Sequence, residues 1–452
     1  MRFSCCSLCL VLLQILAPCV GRSTDPVAAD DLPRHGIAGL VVGPADSSKP
    51  PDRQTNPPTV QTVVKGGASE AAGLQPGDTI VELDGKAVAN SVSFAQEVGR
   101  HLAGDSVRVL LRRAGQEMEK TIVLKPRPLE TSPDAAVLYR SITAGGTRRR
   151  TIITRPASEG RSPTVLLIGG LGCYSLDGAL NESKGYGPIL SALVKEKFVT
   201  MRVEKTGEGD SEGPACTDQK ATAEFEASGY TAALDVLRSY DFVDPKQIFV
   251  FAHSLGPLLA SLALPGQNVR GVIAAETIGR SWFEYTQENV RRQSALLGES
   301  LDQVDADVRA HIHCAYHFYL RHESSEQVEK LGNTCKEMVA SNAAMSDAYM
   351  QQIGDINLAK QWKQIDAPVL VIYGTSDPAT SADEGRYLAG IINSFHPGNA
   401  TYREIAGMGH EFGRYDSQRA FLEEVGNTSK LHPFDEELLT VVLDWIKQQL
   451  HP

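Results

Sequence analysis

At roughly 100–200 residues per domain, a 452-residue chain holds two or three domains. Its 42% hydrophobic and 22% charged residues give the balance of an ordinary soluble globular protein. The net charge of −11 argues against nucleic acid as a partner, because phosphates need a basic surface.

The chain opens with Arg2, an apolar run from Cys5 to Val20, and then Gly21. A charged start, a hydrophobic core and a small residue at a plausible cut site predict a secretory signal peptide over residues 1–22. The run is short for a membrane span and has no stop-transfer pattern after it. An uncleaved anchor and a lipid-modified Cys19 are the alternatives. Export, to the periplasm or beyond, suits the cysteines. Four leave with the signal, and Cys173, Cys216, Cys314 and Cys335 remain as an even set that permits two disulfides.

Residues 33–127 read as a small β-rich unit. Strand-like runs at residues 37–42, 59–64, 79–83, 106–111 and 118–124 alternate with the turns at Gln75-Pro-Gly-Asp78, Asp84-Gly85 and Ala114-Gly115. Ser91 to Leu102 has helical spacing through Phe94, Val98 and Leu102. The stretch Gly66-Gly-Ala-Ser-Glu-Ala-Ala-Gly-Leu-Gln-Pro-Gly-Asp-Thr-Ile80 resembles the PDZ domains of bacterial exported proteases. That resemblance implies a groove that adds an extended peptide, or a protein C-terminus, to a sheet edge. Its residues here are Ile37, Ala38, Gly39 and Leu40, with the 91–102 helix as the far wall.

A proline-bearing linker at residues 128–134 leads to the second unit, residues 135–452. Short apolar strands alternate with helices, which predicts a mostly parallel sheet covered on both faces. Between about 277 and 366 the alternation stops, and a polar, helix-rich stretch reads as an inserted cap. In Phe249-Val-Phe-Ala-His-Ser-Leu-Gly256 a strand meets a helix through a tight turn at Ser254. Ala252-His-Ser-Leu-Gly256 has the small residues two before and two after the serine that a nucleophile elbow needs. Residues 164–452 resemble the α/β-hydrolase superfamily, and Arg202–Gly213 and Val243–Ile248 resemble bacterial carboxylesterases and acyl-peptidase-like hydrolases. The fold class expected is therefore α/β: an α/β-hydrolase fold with a helical cap, preceded by a PDZ-like domain.

A serine hydroxyl needs a base, and the expected chain order is Ser, acid, His. Asp377 and His410 each follow a late strand, in Gly374-Thr-Ser-Asp-Pro378 and Gly407-Met-Gly-His410. The expected triad is Ser254, Asp377 and His410, with Glu276 or Asp383 as alternative acids. Oxyanion donors are expected at the backbone N–H of Leu255 and in the loop Gly169-Gly-Leu-Gly-Cys173, with Leu171 favoured over Gly170 and Gly172. His313 and His317, one helical turn apart in the cap, have metal-ligand spacing, but a polar cap helix is the reading taken. No metal and no cofactor is expected.

The expected function is that of an exported serine hydrolase cleaving carboxylic esters or acylated small substrates through an acyl-enzyme on Ser254. The alternatives are a PDZ-assisted serine peptidase and a non-enzymatic peptide-binding protein. In the α/β-hydrolase strand order the strands before Cys173 and Cys216 are neighbours. The expected disulfides are accordingly Cys173–Cys216, beside the oxyanion loop, and Cys314–Cys335, within the cap.

Overall fold

A computed structural model describes residues 32–43, 57–342, 345–424, 430 and 432–450. The signal-peptide segment lies outside the described residues.

The first unit is built from β1 (Gly36–Ile37), β2 (Leu40–Gly43), β3 (Thr59–Val63), α1 (Ala68–Ala71), β4 (Thr79–Leu83), β5 (Lys86–Ala87), α2 (Ser91–Val98), β6 (Ser106–Arg113), β7 (Gln116–Val123) and β8 (Lys125–Pro126). The sheet order β2-β3-β4-β6-β7 leaves β2 on an edge, where a peptide strand can be added. Alternate residues of β6 and β7 turn inward, so Val107, Val109, Leu111 and Ile122 meet Phe94 and Val98 of α2 in a core of their own. Asn90 caps α2, accepting from Ser93 N at 2.9 Å.

The second unit begins with a long hairpin, β9 (Ala135–Ala144) and β10 (Thr147–Pro156). Then strand and helix alternate: β11 (Ser162–Ile168), α3 (Tyr186–Lys195), β12 (Val199–Val203), α4 (Ala223–Leu237), β13 (Val243–His253), α5 (Gly256–Ala263) and β14 (Gly271–Ala275). The cap holds α6 (Trp282–Leu296), α7 (Leu301–Ala315), α8 (Ser325–Glu329), α9 (Asn333–Asn342), α10 (Asp347–Asp355) and α11 (Leu358–Trp362). After it come β15 (Val369–Gly374), α12 (Ala382–Phe395), β16 (Ala400–Ile405), α13 (Gln418–Glu424) and α14 (Glu436–Leu450).

The eight strands form one sheet, ordered β16-β15-β14-β13-β11-β12-β10-β9 and parallel from β16 to β12. Strand residues alternate between two buried faces. Leu166, Val250, Val272 and Val371 point toward α4, α5, α12 and the cap. Val165, Phe249, Ile273 and Leu370 point toward α3 and α14. Two buried faces require the continuous apolar runs that the sequence carries.

Strands β11 and β12 are neighbours, and Cys173 and Cys216, in the loops beyond them, are disulfide-bonded with Cα atoms 5.9 Å apart. Cys314 and Cys335 are bonded within the cap, Cα atoms 5.0 Å apart. The segment expected as a linker is packed onto the hydrolase body instead. Glu130 makes two 2.6 Å hydrogen bonds to Arg202 and accepts from Gly178 N and Leu180 N. Both partners of that ion pair are buried. Arg34 bridges Asp177 and Asp210 at 2.8 and 2.7 Å, and Arg127 donates to the Asp177 carbonyl.

A chain beginning at Pro128 should fold, whereas one beginning at Ser132 lacks Glu130 and strands Arg202 as a buried, unpaired cation. Removing one partner of a buried pair costs about 3–5 kcal/mol, so the shorter chain should show a far lower denaturation midpoint. Non-reducing peptide mapping should return Cys173–Cys216 and Cys314–Cys335. Reduction should lower stability by about 2–4 kcal/mol per bridge, and four alkylatable thiols in the native protein would refute the pairing.

Candidate active site

The turn after β13 puts Ser254 in a left-handed backbone conformation, φ 59°. A β-carbon on Gly256 would meet the Ile168 carbonyl oxygen at 2.6 Å, so only glycine fits there. Pro257 is tolerated because the first turn of α5 leaves its N–H groups unpaired in any case. Ser254 Oγ is 3.0 Å from His410 Nε2. His410 Nδ1 is 2.9 Å from Asp377 Oδ2. The three residues thus form one hydrogen-bonded line at the carboxyl ends of the sheet.

Asp377 is fully buried but well solvated by protein. Oδ1 accepts from Ala379 N and Thr380 N, and Oδ2 accepts from Thr380 Oγ1 as well as His410. Burial opposes its ionisation, yet the His410 charge and these hydrogen bonds outweigh it and hold the carboxyl below the ordinary range. For His410, burial disfavours the charged ring, and the Asp377 charge and hydrogen bond reverse that, leaving its pKa raised. Of the alternative acids, Asp383 is exposed beside Arg386 and does not approach the histidine. Glu276 lies next to Asp377, with Oε1 accepting from Gly374 N at 2.7 Å.

Around this line stand groups that the sequence reading passed over. His253 bridges Tyr186 Oη, 2.8 Å from its Nδ1, and the His410 carbonyl, 2.8 Å from its Nε2. A carbonyl only accepts, so Nε2 carries the proton and Nδ1 accepts from the tyrosine. Burial and the neighbouring His410 lower the His253 pKa to about 3, so the ring stays neutral. Its one sequence signal is its place directly before the serine. Lys205, within Arg202–Gly213, is buried, paired with Glu226 at 3.1 Å, and donates to the Gly170 carbonyl at 2.7 Å. That bond fixes the plane of the Gly170–Leu171 peptide.

The Gly170 N–H lies 3.4 Å from Tyr186 Oη. The N–H groups of Leu171 and Leu255 donate to no acceptor among the described residues. A β-carbon on Gly170 would come within 3.3 Å of Ser254 Oγ, so this loop passes directly over the hydroxyl. A cavity of about 450 Å³ opens here, lined by Leu171, Tyr174, Glu182, Tyr186, Ser254 and His410 among others. No cap residue lines it among the described residues. The cap instead grips the acid loop. Tyr285, Asn289, Arg292 and Gln293, on one face of α6, donate to the carbonyls of Pro378 and Ala379. In the cap, His311 and His317 are hydrogen-bonded to Gln287 and Glu323, and Cys314 is taken by its disulfide.

In the first unit, Gly39 has φ 69° and Leu40 opens the edge strand. Ile37, Ala38, Gly39 and Leu40 line a groove of about 440 Å³ with Phe94 and Val98 of α2 opposite. Glu208, Gly209 and Asp210 of the hydrolase body close one side of it. Ser175 lines both this groove and the Ser254 cavity.

Comparison with known proteins agrees with both units. The family model of the PDZ domain matches residues 47–124. A curated protein of Hahella chejuensis named "Probable periplasmic serine endoprotease DegP-like" is 28% identical over 107 residues, which is 23% of this chain and 23% of that protein. The chain therefore spans under a quarter of that relative's length. Among solved structures, the Pyrococcus furiosus esterase Pf2001 is 14% identical with a TM-score of 0.46, covering 72% of this chain and 96% of its own. Est1E from Butyrivibrio proteoclasticus, with ferulic acid bound, is 17% identical with a TM-score of 0.40, covering 64% and 95%. The family model of the alpha/beta hydrolase fold matches residues 163–413, more than half of the chain. With an eight-stranded sheet of that order behind a PDZ domain, the chain belongs to the α/β-hydrolase fold family.

Proposed function

We propose that this hydrolase is an exported serine hydrolase that cleaves carboxylic esters or acylated small substrates through an acyl-enzyme on Ser254. The observation that carries the reading is the unbroken line from Ser254 Oγ through both His410 nitrogens to Asp377. In it His410 takes the hydroxyl proton as Oγ bonds to the acyl carbon. The negative oxygen that results meets the N–H groups of Leu171 and Leu255. His410 then gives its proton to the departing alcohol, and a water repeats the attack to release the acid. Asp377 keeps the ring in the required tautomer and stabilises its charged form. Export is supported by two disulfides in the body and by the likeness to a periplasmic protein. Among the described residues no helix is long and apolar enough to cross a membrane.

The second reading, a serine peptidase that captures a chain end in the PDZ groove, is favoured by the wall that the two cavities share at Ser175. Comparing p-nitrophenyl esters with peptide amides separates the two. Ester turnover without amide turnover supports the first, and amide turnover that falls when the PDZ groove is blocked supports the second.

A fluorophosphonate should label the wild type and not Ser254→Ala. Ser254→Ala and His410→Ala should each lose about 10⁴-fold or more in turnover, and Asp377→Asn somewhat less. Half of the activity surviving in either of the first two would exclude the triad. Because the base must be neutral and its pKa is raised, kcat/KM should climb with pH through a limb above the ordinary histidine value of about 6.5. A limb below that value would contradict the assignment of His410.

A further inference from the structure

The residue directly after β14 is an acid with no exposure to water, Glu276. Its backbone is left-handed, φ 49°, which is a strained conformation for a side-chain-bearing residue. Oε1 accepts from Gly374 N at 2.7 Å. Oε2 is buried and meets no donor among the described residues. Its neighbour is another carboxylate: one ligating atom each of Glu276, Asp377 and His410 lie within 4.8 Å of one another.

Two ionised carboxylates are acceptors only, and like charges this close in a buried site disfavour double ionisation, so the pair is most stable holding one proton. The donors decide where it sits. Asp377 receives bonds from Ala379 N, Thr380 N, Thr380 Oγ1 and His410 Nδ1, all of which favour its charged form. Glu276 receives one. We infer that Glu276 is a positioning residue, held as the neutral acid, which donates a hydrogen bond to Asp377 and so holds the carboxylate that orients His410. The inference rests on the triad reading above. The direction of the Glu276 titration agrees: burial first, then the Asp377 charge, pushes its carboxyl well above the ordinary range. Other titratable or charged groups that act on this pair and on His410 are Tyr373 of β15, Tyr285 of α6, Glu411 and the neutral His253, with Arg292 of α6 acting on the two tyrosines.

The test is the pH profile of kcat/KM for Glu276→Gln and Glu276→Leu in the full chain, with melting temperatures alongside. Glutamine keeps the shape and still offers an N–H to Asp377. If Glu276 is neutral in the wild type, Glu276→Gln keeps kcat/KM within about threefold and leaves the acid limb in place. If Glu276 is ionised, the same substitution deletes a negative charge beside the triad and moves the limb down by half a pH unit or more, which overturns the inference. Glu276→Leu deletes the donor and should lower kcat/KM on the order of tenfold, since hydrogen bonds to charged groups are the strong ones. A folded Glu276→Leu with wild-type kcat/KM also overturns it. If that variant does not fold, the Glu276→Gln profile decides alone. Fluorophosphonate labelling of Ser254 in each variant keeps this outcome distinct from a failure of the triad itself.

Discussion

The site depends on a backbone strain at the end of β13. A serine held at φ 59° costs on the order of 1–3 kcal/mol, and such a conformation persists only where the surroundings over-determine it. Here the surroundings are a sheet buried on both faces and a ladder that continues past its own strand ends. Ser254 N donates to the Ala275 carbonyl, Glu276 N to that of Ile372, and Thr375 N to that of Ile405, each at 2.9 Å. The three bonds step across β14, β15 and β16. They fix, in one frame, Ser254, the buried glutamate and the loop that bears Asp377. Glu276 is the second strained residue on this staircase, one strand over from the first.

Around that frame the loops are held by buried and half-buried polar groups. His410 sits on a loop, yet its backbone is tied by His253, which leans in turn on Tyr186. The loop over the serine is tied by Lys205 and Tyr174, both bonded to the Gly170 carbonyl. The acid loop is tied by α6 of the cap. Each is a hydrogen bond at least partly withdrawn from water, so breaking it leaves a polar group under-satisfied. The cap therefore acts on the site through Pro378 and Ala379 rather than by walling the cavity, which explains why a polar helix with no fully buried residue can still matter to it.

How much of this was legible in sequence follows from range. The elbow was legible because its constraint is local: small residues at fixed offsets from Ser254, after an apolar strand. The places of Asp377 and His410 were legible because a strand end followed by a short loop announces where a side chain emerges. The disulfides were legible once neighbouring strands could be assumed. Glu276 and Asp377 looked alike as candidate acids, because each follows a strand. What separates them is reach: Asp377 stands three residues beyond its strand and meets the imidazole, whereas Glu276 stands directly after its own and meets Gly374 N. Glu130 was illegible for another reason. A carboxylate in a proline-bearing stretch reads as solvated, and only the fold brings Arg202, 72 residues on, against it.

The same long-range pairs decide how far the two units are independent. The groove beside β2 ends at Asp210, a carboxylate already committed to Arg34 and to the His35 N–H. Glu208, beside it, is pushed up by burial to about 6, with Lys205 pulling the other way. On that side the groove is therefore bounded by carboxylates that belong to the hydrolase body. That surface does not extend as a separate lobe. Ser175 forms part of it and of the Ser254 cavity, and its hydroxyl donates to the buried Glu204 at 3.0 Å. Burial raises Glu204 to about 7 despite that bond. Whatever occupies the groove thus touches the outer face of the wall whose inner face lines the Ser254 cavity. The PDZ domain is joined to the hydrolase by a shared surface as well as by a covalent segment.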